Sequence, residues 1–216
     1  MSIRGYFKKL VCGTVYLQAP LKAYELNEDI LRDKYGINVR QIDCQNDNDI
    51  EVWKSIIHTS YDDSHYTTES ARELLTNHPY MEDTQTFLFQ TMSGDYIATV
   101  SIGRYRKNPM IGGDFRIGVT KSAQNKGYGR LCILFAFSKL ASLGVKNGES
   151  AIVLKRKESL HLHYSLGFRP QYNMNYIAAQ KTQLKLKNFN FILKLRLFYS
   201  YRGFLKKERK KFIQQQ

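Results

Sequence analysis

Cysteine, proline and glycine are all scarce: 3, 4 and 14 in a chain of 216 residues. Cys12, Cys44 and Cys132 are odd in number and share no C-x-x-C spacing. That speaks against a disulfide framework or a zinc ribbon and for a reducing compartment. So few glycines and prolines exclude collagen-like and low-complexity chains. No run reaches the roughly 18 apolar residues of a membrane-spanning helix. Arg4, Lys8 and Lys9 precede the apolar stretch Leu10–Leu17 in the manner of a secretion leader. That stretch is short, Gly13 and Thr14 interrupt it, and no small-x-small cleavage site follows, so the expectation is a cytoplasmic protein. Acids are also few, 19 against 33 lysines and arginines. What is abundant is core material: 43% apolar and 13% aromatic residues exclude a disordered chain and suffice for one filled core.

The net charge of +14 is unevenly placed. Residues 181–216 carry most of it, with Lys206, Lys207, Arg209, Lys210 and Lys211 opposed only by Glu208. The basic character therefore belongs to a tail and not to the body. Phe189, Ile192, Leu193, Leu197 and Tyr201 interleave with the tail's charges. Such a segment fits a helix packed on the body, a peripheral helix on an anionic membrane, or a dock for an acidic protein. Nucleic acid is not an expected partner.

Periodicity and turn residues divide the rest. The expected order is an N-terminal extension over 1–36, one mixed α/β domain over 37–180, and the tail. In the extension, 23–35 has a helical pattern stopped by Gly36. A strand is expected over 39–42. Asp49 is the expected cap of a helix through Ile50, Trp53, Ile56 and Ile57, and Thr67 or Thr68 opens the next helix. Thr86–Gln90 and Tyr96–Gly103 read as a hairpin about Ser93-Gly94-Asp95, with a third strand over Phe115–Val119. A helix from Gly129 to Leu143 follows, with Leu131, Leu134, Phe135, Phe137, Leu140 and Ala141 as its apolar face. A strand over 151–154, a short helix over 159–166 closed by Gly167, and a strand over 176–179 complete the order.

One segment carries chemistry. Between the third strand and its helix lies Gln124-Asn125-Lys126-Gly127-Tyr128-Gly129-Arg130. A helix N-terminus offers unpaired N–H groups and a positive dipole end, and glycines let a ligand approach the backbone. That suits a pyrophosphate, with Lys126 and Arg130 adding charge. The stretch is neither a P-loop nor the dinucleotide fingerprint. A tight turn before a core helix has the same outline.

This segment resembles the Q/R-x-x-G-x-G/A motif of the GNAT superfamily of acyl-CoA-dependent N-acyltransferases. A second match follows in the right order. Ser159-Leu160-His161-Leu162-His163-Tyr164-Ser165-Leu166-Gly167-Phe168 is similar to the family's A/S-x-x-L-Y/H-x-x-L-G-F ending. The His form looks like that of the branch related to phosphinothricin acetyltransferases. The resemblance spans about residues 39–179. It implies a mostly antiparallel sheet flanked by helices, with acetyl-CoA or another acyl-CoA as co-substrate and a small-molecule amine as acceptor. It also implies that Ile117, Gly118 and Val119 lie along the pantetheine arm, and that the N–H groups of Gln124 to Arg130 hold the pyrophosphate. Val119 N–H is then the natural oxyanion donor.

The resemblance places His163 at the position of the acid that protonates the CoA thiolate, with Tyr164 one residue later. A histidine packed within its helix is the other meaning of His163. Arg156 stands where the family often has Asn; it either reaches a phosphate or is simply solvated. Asp114, at the start of the central strand, is the candidate base. Asp95 belongs to the hairpin turn. Tyr61, Asp62, Asp63 and His65 lie where the family builds its acceptor pocket; a polar turn is the other meaning of this loop. As a metal centre these groups are too few and too local, and no metal is expected. The alternatives are an acyl carrier protein as donor, docked by the basic tail, and a non-catalytic module of the same fold.

Overall fold

The computed structural model describes residues 14–21, 26–61, 65–153 and 156–170. Asp62, Asp63, the strand expected over 176–179 and the tail lie outside the described residues. Two compact units divide the chain, Ala19–Ser150 and Met1–Gln18 with Ala151–Gln216. The elements are β1 (Thr14–Pro20), α1 (Glu28–Tyr35), β2 (Ile37–Gln41), α2 (Asp47–Ser60), α3 (Thr68–Thr76), β3 (Met81–Thr91), β4 (Tyr96–Tyr105), β5 (Asn108–Val119), α4 (Tyr128–Ser142), β6 (Asn147–Val153), α5 (Lys157–Ser165) and β7 (Arg169–Pro170). No helix among the described residues is long and apolar enough to cross a membrane.

In the larger unit the sheet runs β2-β3-β4-β5-β6. Every pairing is antiparallel except β5 with β6, which is parallel. The architecture is therefore mixed α/β with a mostly antiparallel sheet, as expected. Strand alternation assigns its two faces. Leu88 joins the α2–α3 core of Ile42, Ile50, Trp53, Ile56, Ile57, Ala71 and Leu75. Its neighbours Phe87 and Phe89 both meet Phe135 of α4 edge-on, at 5.0 and 5.5 Å between ring centres. α2 and α3 thus cover one face and α4 the other. Gly36 closes α1 at φ 64°, a left-handed conformation that favours glycine.

Several expectations change. The cap of α2 is Asn46, whose side chain accepts from Asn48 N–H at 2.9 Å. Asp49 instead lies one turn in, buried, and takes the Arg40 fork at 2.8 and 2.6 Å. β5 begins at Asn108, seven residues before the expected start at Phe115. Gly112 and Gly113 read as loop residues because a strand interior disfavours glycine. Here they are packing residues: a Cβ on Gly113 would lie 2.3 Å from the Glu149 carbonyl, and one on Gly112 2.8 Å from Leu140 Cδ2. On α4, Cys132, Ile133 and Ala136 are buried, while Leu131, Leu134 and Ala141 are only partly so. The expected stripe is too narrow, because a helix apolar nearly all round is covered on several sides. Thr14–Pro20, within the expected extension, is a strand.

Candidate active site

β5 is the axis of the site. It pairs with β4 through Ala98↔Val119, Thr99↔Gly118, Val100↔Ile117 and Ser101↔Arg116, and then through Ile102↔Asp114. The shift leaves Phe115 as an extra residue, a β-bulge that re-aims the side chains around it. Below the bulge, the parallel ladder to β6 runs from Ile111↔Asn147 to Asp114↔Ser150.

Above the bulge, two carbonyls of β5 take side-chain donors. Tyr61 Oη donates to Ile117 O. Ser60 Oγ and Gln124 Nε2 donate to Val119 O at 2.9 and 3.1 Å. An antiparallel residue points its N–H and C=O to the same side, so the N–H groups of Ile117 and Val119 also point away from β4. Gly118 lets α2 lie close: a Cβ there would be 3.0 Å from Ser60 Oγ and 3.1 Å from Ile57 Cδ1.

The glycine loop starts where β5 ends. Thr120 N–H donates to Ile97 O at 2.9 Å, and a single 3-10 turn covers Lys121–Ala123. Asn125 and Gly127 both have positive φ, 62° and 87°. Gly127 then caps α4, and its carbonyl accepts from Arg130 and Leu131 N–H at 3.0 and 3.2 Å. A left-handed residue before a helix start turns successive N–H groups into one concavity. That concavity is narrower than expected. Gln124 N–H is held by Thr120 O at 3.1 Å and Arg130 N–H by Gly127 O, so neither amide points outward.

On the α2–α3 side, Arg116 Nε and Nη2 both donate to Tyr66 Oη, at 3.0 and 2.7 Å, and Nη1 donates to Phe115 O at 2.9 Å. Tyr66 stands edge-on to Trp53, 5.3 Å between ring centres. The His78 ring lies 4.6 Å from that of Phe115, and burial, then the charges of Arg116 and Arg106, hold its pKa below the ordinary imidazole value. Exposed His65 stands 5.5 Å from His58. Asp114 accepts from Ser150 Oγ. Beside it, Tyr105 Oη donates to Glu149 at 2.8 Å. Burial, followed by the Asp114 charge, pushes the Glu149 carboxyl above its usual range, against the lowering effect of the Tyr105 bond. Sequence reasoning missed Arg116, His78 and Glu149 as functional candidates, and took in Tyr66 only as the end of the candidate acceptor loop. The other three carried no such signal.

The second unit carries the other motif. β1 and β7 pair through Leu17↔Pro170 and Gln18↔Arg169. His163 is 1% exposed, with Nδ1 2.7 Å from the Ser159 carbonyl and its ring edge-on to Phe168 at 5.2 Å. A carbonyl only accepts, so Nδ1 carries a proton. Tyr164 is also buried, at 7% exposure. Gly167, at φ 88°, ends the helix, and Phe168 N–H returns to the His163 carbonyl at 3.0 Å. Arg156 stands at the start of α5, where its carbonyl accepts from Leu160 N–H at 3.1 Å.

Solved structures share this fold. A GCN5-related N-acetyltransferase from Sphaerobacter thermophilus superposes with a TM-score of 0.54 at 16% identity, covering 73% of this chain and 48% of that one. A GNAT-family acetyltransferase from Novosphingobium aromaticivorans gives 0.50 at 13%, covering 73% and 60%. An aminoglycoside acetyltransferase from an uncultured soil metagenomic sample, solved with sisomicin, gives 0.50 at 9%, covering 61% and 88%. The chain thus spans about half to three-fifths of the length of the first two. No family model matches the chain, and no curated protein matches it in sequence. At these identities the likeness is one of architecture: the chain has the GNAT fold.

Proposed function

We propose that this chain is an acyl-CoA-dependent N-acyltransferase, in the simplest case an acetyltransferase acting on a primary amine. The observation that carries this reading is the upper half of β5. There the N–H and C=O groups of Ile117 and Val119 turn away from β4 and run directly into a loop with left-handed Asn125 and Gly127 at a helix start.

In this reading Ile117, Gly118 and Val119 align the pantetheine arm. The N–H groups of Asn125, Lys126, Gly127, Tyr128 and Gly129 hold the pyrophosphate, with the Lys126 and Arg130 side chains and Arg156 supplying charge. The Gln124 side chain braces the end of β5 through Val119 O and leaves the phosphates to its neighbours. The acceptor nitrogen attacks the thioester carbon, and the Val119 N–H stabilises the negative oxygen that forms. The carbon–sulfur bond then breaks. By the sequence resemblance, His163 in its imidazolium form is the group that gives a proton to the leaving thiolate, with Tyr164 the alternative donor. Asp114, below the bulge, takes the amine proton through intervening water, and Ser150 Oγ fixes the carboxylate for that step. Tyr61 and His65 border the acceptor.

The test is isothermal titration of acetyl-CoA into the full chain and into Gly127→Trp, at low and moderate salt. Saturable micromolar binding that is lost in the variant is the expected result, followed by thiol release on adding amines and its loss in His163→Ala. Absence of binding to acetyl-CoA and to longer acyl-CoAs overturns the proposal.

A further inference from the structure

Arginines on the described helices and strands of the larger unit mostly have an acid. Arg32 pairs with Asp29 and Asp33, Arg40 with Asp49, Arg72 with Asp47, and Arg104 with Asp83. Arg116 is the contrast. It is partly buried beside the bulge and pairs with no acid among the described residues. Its three contacts use Nε, one N–H of Nη2 and one N–H of Nη1, all on neutral oxygens. A guanidinium has five N–H donors, so one remains on each Nη. The Tyr66 hydroxyl and the Phe115 carbonyl fix the plane in which those two lie.

Among the described residues, the neighbouring charged group adds to the positive field. Arg106 is exposed nearby, with Nη2 3.5 Å from the His78 carbonyl and its amide bonded to Tyr80 O at 3.1 Å. His78 accepts at Nδ1 from Tyr80 N–H at 3.4 Å, and both arginines help to keep it neutral. Desolvating a cation without a counter-charge is costly, and a planar pair of N–H groups matches the two oxygens of a carboxylate.

We infer that Arg116, flanked by Arg106 and His78, is an anion site on the acceptor side, and that the amine acylated by this protein carries a carboxylate. Arg116 immediately precedes Ile117 on β5, and Tyr66 ties it to the segment that follows α2. A carboxylate on the guanidinium therefore anchors an acceptor beside the strand that aligns the thioester. This inference rests on the acyltransferase reading for its chemistry, but the binding site itself does not.

The experiment uses matched amines: L-lysine against 1,5-diaminopentane, L-phenylalanine against 2-phenylethylamine, and phosphoethanolamine against ethanolamine. Binding is first measured without acyl-CoA, by calorimetry and by the NMR titration of His78. Thiol release from acetyl-CoA is then measured on the same pairs. The expected result is a preference of about 10- to 100-fold for at least one carboxylate member, the range of a lost hydrogen-bonded charge. An upward shift of the His78 midpoint is expected when that member binds. Arg116→Gln and Arg116→Lys should cut the preference below about threefold, raising KM more than they lower kcat. Acetyl-CoA titration and thermal melting show whether each variant is folded, and Arg106→Gln, at an exposed position, should weaken the preference in part. Equal binding of both members of every pair, binding of none, a preference that survives Arg116→Gln, or a preference only for phosphoethanolamine each overturns the inference. Failure of acetyl-CoA to bind overturns the acyltransferase reading alone, since the first arm still decides the anion site.

Discussion

Asp49→Asn separates two accounts of one residue by magnitude. If Asp49 were the cap of α2, asparagine would serve as well, because the two are near-equal at that position. The structure makes it a core anchor. Its carboxylate is 6% exposed, takes both Nη groups of Arg40 at 2.8 and 2.6 Å, and takes Asp43 N–H at 2.9 Å. Asparagine keeps the shape, yet its NH2 must face one of those donors. A hydrogen bond to a charged group is worth about 1.5–3 kcal/mol, and the substitution spoils more than one. The loss is offset where Arg40, 43% exposed, turns back to water. The net cost is about 2–4 kcal/mol, or roughly 5–12 °C in Tm for a chain of this size. Thermal unfolding by circular dichroism at pH 7 measures it. The Arg40 contact holds the Asp49 carboxyl below its usual range. Its contribution is therefore complete above the unfolded carboxyl value near 3.8 and is lost as pH falls through the folded value. The gap between wild type and variant should close in acid. A Tm change within about 1 °C at pH 7 would refute the anchoring account.

The remaining predictions concern the site. Gly127→Ala has no heavy atom within 4 Å of its new Cβ, so only the φ of 87° is penalised, by about 1–2 kcal/mol; calorimetry should also show weaker acetyl-CoA binding. Gly113→Ala should cost more in the same thermal assay, because its Cβ meets the Glu149 carbonyl and must part β5 from β6; an equal or smaller loss contradicts this packing. Glu149 ionises near 4.5 when unfolded but later in the fold, so its stabilising contribution is present below that value and lost as pH rises through the raised one. Glu149→Gln should therefore flatten the fall in stability as pH rises above about 4.5, and superimposable profiles would count against it.

Much of the larger unit was legible because local chemistry and tertiary structure agree there. Gly36 stops α1, Thr67 caps α3 with its side chain on Ser70 N–H at 3.1 Å, and Ser93-Gly94-Asp95 turns the hairpin. Where the two disagree, the sequence misleads. Asn46 and Asp49 are both good caps by type, and only the placement of Arg40 on β2 decides between them. Gly112 and Gly113 carry no strand signal, since their reason is the approach of Leu140 and of the Glu149 carbonyl from distant segments. The glycine loop could be located but not resolved amide by amide. That needed the bonds by which Gln124 and Arg130 spend their N–H groups inside it. The cation at Arg116 was invisible for a different reason. That a charge has no acid beside it among the described residues is known only once Tyr66, His78 and Arg106 have been brought alongside.

The side-chain donors on Ile117 and Val119 have one more consequence. A strand with backbone groups turned outward is a template on which a second copy can polymerise. Strand addition needs a partner that alternates giving and taking along its length. Here Tyr61, Ser60 and the Gln124 amide nitrogen each donate to a β5 carbonyl and do not alternate in that way. They quiet the two carbonyls without building a continuous edge, and a foreign β-strand would have to evict them one by one. On the function proposed above, the same three side chains would hinder a foreign strand and still leave the Ile117 and Val119 N–H groups to an extended small ligand.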